Sequence, residues 1–377
     1  MKKPFIQSIK DKCVALNQKI KAHFAAVKSG GFKGILRDTG KGTGKFFGNQ
    51  YTQFILVGLF FVVLQMLGTA GFLEVSLMRG IGGLMLNAIV ALGFYLLLGF
   101  AGLASLGTAG FVGLGAYVTG YLLKNTEIPM LVILLICIVV AVILGVIVGF
   151  ISLRVEGMYL AIITLGLSEI LVQLFVNLQD LTGGVNGLAI LKPYLFGIKV
   201  EREVAFYMIA VVFVLLLIFS KNITNSPTGR AMLTMKNSES AAQSMGVSIL
   251  RYRLLAFVVA TVFAMIAGFL YIIYYRFTIP TSWSLAFSLN ILAVVVIGGT
   301  KSIWGLLAGA FMIFGLNDIV LMNIPFFVAN PSLIVMFNGA LMVVVVMFYP
   351  GGLSQLFLEI KYKIKLRKMK GAKAHAE

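Results

Sequence analysis

Residues 130–153 read MLVILLICIVVAVILGVIVGFISL, a run of 24 residues without a charged side chain. The hydrocarbon core of a bilayer is about 30 Å thick, so an α-helix needs about 20 consecutive apolar residues to cross it. A run of this length and composition predicts a transmembrane helix. Because a helix in lipid satisfies its own backbone hydrogen bonds, we expect an all-α, polytopic membrane protein.

Similar apolar segments recur along most of the chain. One of them, 286–300 (AFSLNILAVVVIGGT), is short and ends in Gly-Gly, which indicates a half-helix or an interrupted span. The predicted spans are 54–73, 80–100, 103–123, 130–153, 157–179, 204–220, 254–275, 286–300, 302–322 and 332–349. We therefore predict about ten transmembrane helices, one of them short or broken.

The composition agrees with a lipid environment. Only 12% of the 377 residues are charged and 60% are hydrophobic, whereas soluble domains carry about 25% charged residues. The two cysteines, Cys13 in a lysine-rich segment and Cys137 in an apolar run, have no reason to pair. The two histidines, His23 and His375, both lie in polar tails. We therefore expect no catalytic residues, metal site or cofactor, and we expect that the protein is not an enzyme.

The net charge of +18 is concentrated in three segments. Eleven Lys and Arg lie between Lys2 and Lys45, five lie in residues 221–253 beside a single acid, and seven lie between Lys361 and Lys373. Basic loops stay on the cytoplasmic side of a membrane, and ten spans place all three segments there. Both termini are thus predicted to be cytoplasmic. No nucleic-acid partner is expected, because no folded basic domain or interleaved aromatic residues accompany the charge.

This pattern divides the chain into three parts. Residues 1–50 are predicted to be a basic cytoplasmic tail, residues 51–350 the transmembrane domain, and residues 351–377 a second basic tail. An apolar stripe in the first part predicts an amphipathic helix that lies on the inner leaflet, packs on a partner subunit or is partly disordered. The stripe consists of Ile6, Ile9, Cys13, Leu16, Ile20, Phe24 and Val27. The glycine-rich stretch at 40–46 fails the spacing of a phosphate loop, so we expect no nucleotide site in this chain.

The central loop, residues 221–253, carries ordered helix signals. Ser226-Pro227 is a helix start, Asn237 or Ser238 can cap a second short helix, and Gly246 can end it. A polar connection between two spans needs no such signals. Two short helices with a small-residue face could transmit movement from another protein, and an ordinary amphipathic loop is the alternative.

The same loop resembles a known family. Its order Ser-Pro-x-Gly-Arg, Glu-x-Ala-Ala-x-x-Met-Gly and Tyr-x-Leu-Leu-Ala-Phe is similar to the ATPase-coupling loop of the branched-chain amino-acid ABC transporter permeases, the Liv-type permeases. Further stretches match in the family's order across about residues 80–350. They are GLASLGTAGFVGLGAY (102–117), GMYLAIITLGLSEI (157–170), LTGGVNGL (181–188) and VVIGGTKSIWGLLAGA (295–310). The histidine that is frequent in the family's glycine-rich span is Thr108 here.

The resemblance implies the permease subunit of an ATP-driven importer in the inner membrane of a prokaryote. It implies a second permease subunit, two ATP-binding-cassette ATPases, an extracytoplasmic binding protein and surrounding membrane lipid as partners. It also implies a surface for the ATPase formed by Gly229, Arg230, Glu239, Ala241, Ala242, Met245 and Gly246.

The substrate path is expected along the fifth span and the turn that follows it. The candidates are Tyr159, Thr164, Glu169, Gln173, Thr182 and Asn186. An intramembrane carboxylate such as Glu169 usually faces a bundle interior or a cavity, and a structural hydrogen bond is the alternative. Asp318 has the same two interpretations, and we give it less weight as a residue of the path. For the glycine-rich span at 102–117, tight packing and a broken helix near the pathway both fit.

Two other functions compete with the importer. An ion-driven secondary transporter usually carries several ionisable groups at membrane depth, and this chain has few. A membrane enzyme would need a cluster of His, Asp or Glu at a membrane face, and the sequence has none. Within the importer class, branched-chain amino acids compete with urea, short amides and other small amino acids as cargo.

Overall fold

The computed structural model describes residues 50–72, 74–152, 158–191, 193–195, 198–300, 302–321, 324–329, 331–348 and 351–355. The predicted amphipathic helix in residues 1–49 and the basic tail from 356 to 377 lie outside the described residues.

The described part of the chain is mostly helical. The helices are α1 (Gln50–Thr69), α2 (Val75–Phe94), α3 (Thr108–Asn125), α4 (Met130–Ser152), α5 (Met158–Asn177), α6 (Arg202–Asn225), α7 (Pro227–Asn237), α8 (Glu239–Ser244), α9 (Ile249–Tyr275), α10 (Leu285–Gly298), α11 (Ile303–Ala310), α12 (Pro325–Ala329) and α13 (Pro331–Phe348). Two helices continue as π-helix, α2 through Tyr95–Phe100 and α11 through Phe311–Val320. Single turns occupy Gln179–Thr182, Gly184–Asn186 and Pro280–Trp283.

Four short strands lie between helices. Strand β1 (Leu188–Ala189) pairs antiparallel with β4 (Phe277–Thr278), and β2 (Tyr194–Leu195) pairs antiparallel with β3 (Ile198–Lys199). The first pair ties the turn after α5 to the chain that follows α9.

Within the described residues, six helices are long and apolar enough to cross a membrane: α1, α2 with its π-helical end, α4, α5, α6 and α9. The other four predicted spans also contain helices, namely α3, α10, α11 with its π-helical end, and α13. The predicted short segment is the 14-residue α10. The count of ten spans stays a prediction. The span predicted at 103–123 begins late, because its helix starts only at Thr108 and residues 101–107 are not helical.

The spans differ strongly in burial. In α2 and α9, 83% and 72% of the most apolar window is buried inside the chain, against 17% in α1 and 22% in α4 and α5. The core is therefore built on α2 and α9, and α1, α4 and α5 are the least buried of the six long spans.

Glycine allows α3 to pack closely on α9. A Cβ atom built at Gly115 would lie 2.5 Å from the carbonyl oxygen of Met265, and one built at Gly268 would collide with the carbonyl oxygen of Val112. In lipid, helices associate through such close backbone contacts, because the surrounding acyl chains are as apolar as the side chains. The glycine-rich stretch at 102–117 therefore serves tight packing, and the span is also broken just before α3.

Candidate functional site

The central loop folds into the two short helices that its sequence predicts. The Ser226 hydroxyl accepts a hydrogen bond from the Gly229 N–H at 3.3 Å and caps α7, with Pro227 at the first helical position. The Ser238 hydroxyl accepts one from the Ala241 N–H at 3.3 Å and caps α8. Side-chain caps of this kind satisfy backbone donors that a helix start leaves open. Both starts are thus confirmed, and Ser238 rather than Asn237 caps α8.

The end of α8 is also fixed by local chemistry. Gly246 has a φ of +77°, the left-handed conformation that glycine adopts without strain. The Val247 N–H donates to the Ala242 carbonyl at 3.0 Å, and the Gly246 N–H donates to the Gln243 carbonyl at 2.9 Å. This pair of bonds is a Schellman ending, so the predicted stop at Gly246 is confirmed.

The residues expected to face an ATPase divide into two groups. Gly229 is buried against the last turn of α6, and Ala242 is fully buried. The exposed members are Arg230, Glu239, Ala241, Met245 and Gly246. The two buried residues therefore hold α7 and α8 against the bundle, and only the exposed five can contact another protein.

A lysine that the sequence did not single out ties α7 to the core. The Lys236 ammonium donates to the carbonyl oxygens of Leu98 and Gly99 at 3.2 and 2.9 Å. These carbonyls belong to the π-helical end of α2, where helix ends leave acceptors open and favour a positive charge. Lys236 thus joins the central loop to one of the two most buried spans.

A second charged contact ties α8 to the other buried span. The Glu239 carboxylate and the Arg253 guanidinium form an ion pair. Arg253 lies in the first turns of α9, and its side chain is only 15% exposed. The loop is therefore attached at two points, one to α2 and one to α9.

The substrate-path candidates on α5 separate onto two faces. Tyr159, Glu169 and Gln173 are exposed on one face, where the Gln173 amide donates to the Glu169 carboxylate at 3.4 Å. Thr164 is buried on the opposite side. Glu169 is exposed among the described residues, so its place on a substrate path stays a prediction, and its contact with Gln173 lies within α5.

Thr164 belongs instead to a group of hydroxyls around the start of α3. Thr164, Ser168 and Ser288 accept hydrogen bonds from three backbone N–H groups there at 3.0, 3.1 and 3.0 Å. A helix that begins between other spans has open donors and no water to satisfy them. The three hydroxyls accept hydrogen bonds from these open donors, so Thr164 has a structural role.

The glycine-rich turn after α5 is held from within. The buried Thr182 hydroxyl donates to the carbonyls of Phe175 and Leu178 at 2.6 and 2.7 Å and accepts from the Gly184 N–H at 3.1 Å. Asn186 is exposed at the tip of the turn. Thr182 therefore shapes the turn, and Asn186 is the member of the pair that can meet a ligand or a docked protein.

Asp318 is the better-buried acid. It lies in the π-helical end of α11, half-buried next to Gly83 of α2. The neighbouring Asn317 has a buried side-chain oxygen without a hydrogen-bond partner among the described residues. Asp318 had less weight in the sequence because it lies nearer the outer end of its span, whereas among the described residues it is better buried than Glu169.

The sequence is similar to a known transporter family and to two of its members. The family described as "Branched-chain amino acid transport system / permease component" matches residues 76–346. The chain is 31% identical over 322 residues to the "High-affinity branched-chain amino acid transport system permease protein LivM" of Salmonella typhimurium, over 77% of this chain and 72% of that protein. It is 32% identical over 254 residues to the protein of the same name from Escherichia coli, over 61% of this chain and 60% of that protein, so it spans about three fifths of that relative. No solved structure matches the chain significantly.

Proposed function

The chain belongs to the family of branched-chain amino acid transport system permease components, and from this premise we propose that it is the membrane permease subunit of an ATP-binding-cassette importer. In this proposal two ATPases, a second permease subunit and an extracytoplasmic binding protein complete the transporter. The ten spans have both termini in the cytoplasm, and the complex lies in the inner membrane of a prokaryote.

The observation that carries the proposal is the attachment of the central loop. Two capped helices present an exposed surface while Gly229 and Ala242 anchor them from behind. Lys236 and the Glu239–Arg253 pair then join that surface to α2 and α9. A passive connection between spans requires neither the caps nor the two charged contacts.

This arrangement supports a route for movement. When an ATPase moves α7 and α8, the contacts at Lys236 and Arg253 displace the ends of α2 and α9 together. Because these two are the most buried of the six long spans that the structure describes, a shift there changes how the less buried spans pack on them. Switching between outward-open and inward-open states requires such a second packing of the same helices.

The polar face of α5 supports a second permease subunit. Glu169 and Gln173 lie on a face of α5 that is exposed among the described residues, and a carboxylate at the bilayer centre costs roughly 3 kcal/mol or more in lipid. A partner permease over this face removes that cost and encloses a polar path between the two subunits. Tyr159 and Asn186, exposed on α5 and on the turn after it, border the same path.

Branched-chain amino acids are the cargo we propose, on the strength of the names of the two relatives. Urea and short amides remain the alternatives within the importer class. The cognate binding protein distinguishes them: we expect it to bind leucine, isoleucine and valine, and binding of urea or acetamide in their place would refute this choice of cargo.

Cysteine cross-linking tests the ATPase surface directly. In a background that carries Cys13→Ser and Cys137→Ala, the Met245→Cys variant places a thiol on the exposed loop surface, where Met245 is 64% exposed. We expect cross-links to the ATPase subunit whose yield changes when ATP is added. The Val185→Cys variant is the matched control, because Val185 is 69% exposed on the turn after α5, away from the central loop. Equal yields from the two variants would refute the proposed surface.

A further inference from the structure

A cavity of about 200 Å³ lies at the end of the bundle opposite the central loop. It is lined by the last turns of α1 and α9 and the first turns of α2 and α6. The central loop follows the other end of α6 and precedes the other end of α9, so the length of these spans separates the two sites. Tyr274 lines the cavity and is buried, and its hydroxyl donates to the Met78 carbonyl at 3.0 Å.

The cavity brings together charges of both signs. Arg79 of α2 and Arg202 of α6 both line it together with Tyr274. Among the described residues, neither guanidinium forms a hydrogen bond or an ion pair. Glu203, which follows Arg202, adds a carboxylate to the lining. An arginine pair of this kind can bind anionic oxygens through several N–H donors.

A buried acceptor in the same cavity lacks a partner. Gln65 of α1 lines the cavity and is only 6% exposed. Its side-chain oxygen has no hydrogen-bond partner among the described residues. Buried acceptors are nearly always paired, because an unpaired one loses its hydrogen bonds to water without replacement. A ligand that supplies an N–H group here would satisfy it.

We propose that this cavity binds a group that carries an anionic oxygen centre together with a primary ammonium. Arg79 and Arg202 bind the anionic oxygens, and Glu203 and the Gln65 oxygen accept from the ammonium. Both the headgroup of phosphatidylethanolamine and a free amino acid have this chemistry. The volume is below the roughly 300–1,000 Å³ of pockets for drug-sized ligands, which suits a group of headgroup size.

The surrounding surface favours the phospholipid. Phe60 and Val63 of α1 and Val211 and Leu215 of α6 are exposed and apolar. Acyl chains could lie along these two faces while the headgroup enters the cavity. The proposal does not depend on the importer function, because it rests on the cavity and its charges alone.

Native mass spectrometry of the delipidated full-length chain tests the proposal. The probes are phosphatidylethanolamine, phosphatidylglycerol and phosphatidylcholine with the same acyl chains, each offered with and without millimolar leucine. Phosphatidylglycerol lacks the ammonium, and phosphatidylcholine lacks its N–H donors. We expect phosphatidylethanolamine to be retained about tenfold better than either, because only it can make both charge-assisted contacts.

The double variant Arg79→Gln/Arg202→Gln and the variant Glu203→Gln should each lose most of this preference. Lys124→Gln, which removes an exposed positive charge outside the cavity lining, should retain it. If leucine displaces phosphatidylethanolamine, the cavity binds a free amino acid. If it does not, the ligand is the lipid headgroup. Equal retention of the three lipids without an effect of leucine would overturn the proposal, as would an unchanged preference in the double variant.

Discussion

Replacing Lys236 with Met should separate ATP hydrolysis from transport. Met has about the length of the lysine but lacks its charge and its donors, so the hydrogen bonds to Leu98 and Gly99 are lost. A hydrogen bond to a charged group contributes about 1.5–3 kcal/mol when buried, and exposure of Lys236 reduces the two contacts together to about 1–2 kcal/mol. A difference of this size is a factor of about 5–30 in an equilibrium.

The assay is a paired measurement in proteoliposomes that contain the complete transporter. We expect the Lys236→Met variant to hydrolyse ATP at a rate close to the unmodified complex and to transport about 5–30 times fewer substrate molecules per ATP. Lys221→Met is the matched control, because it removes a lysine of the same loop whose ammonium makes no hydrogen bond within the described residues. Transport per ATP that is equal in the two variants would refute the role of Lys236.

Three further substitutions test the loop and the packing. Glu239→Lys places two positive charges together at Arg253 and should lower transport per ATP while the protein remains folded, so unchanged transport would argue against that attachment. Ser226→Ala should weaken the start of α7 by about 1 kcal/mol, measured as several-fold faster amide exchange in its first turn, and exchange that stays slow would count against the cap. Gly268→Leu should force α3 and α9 apart at a cost of about 1–3 kcal/mol or more and lower the thermal midpoint in detergent. Gly166→Leu should not lower the midpoint, because among the described residues nothing beyond the local helix backbone lies within 4 Å of the added Cβ, and equal midpoints for the two glycine variants would contradict the packing.

The central loop shows what a sequence can predict. Ser226, Ser238 and Gly246 act through hydrogen bonds to residues within a few positions along the chain. Such caps depend on local chemistry, so their residue types identify them. Lys236 acts on carbonyls 137 and 138 positions away, and no local pattern distinguishes it from other basic residues of the loop.

Burial within the membrane was harder to predict for a physical reason. In lipid a span is apolar on its exposed and its buried faces, so hydropathy does not separate the buried α9 from the exposed α4. For the same reason Glu169 could not be assigned to a face. The sequence indicates the start of α3 only weakly. Ser105, Gly107 and Thr108 are of residue types that often precede helices.

The dependence of uptake on ATP tests the central claim most directly. The measurement is accumulation of radiolabelled leucine by proteoliposomes that contain this chain, its partner permease, the ATPases and the binding protein, with ATP enclosed at the side of the ATPases. We predict uptake that requires both ATP and the binding protein and that does not respond to an imposed proton or sodium gradient. Uptake driven by an ion gradient in the absence of ATP and of the partner proteins would contradict the account.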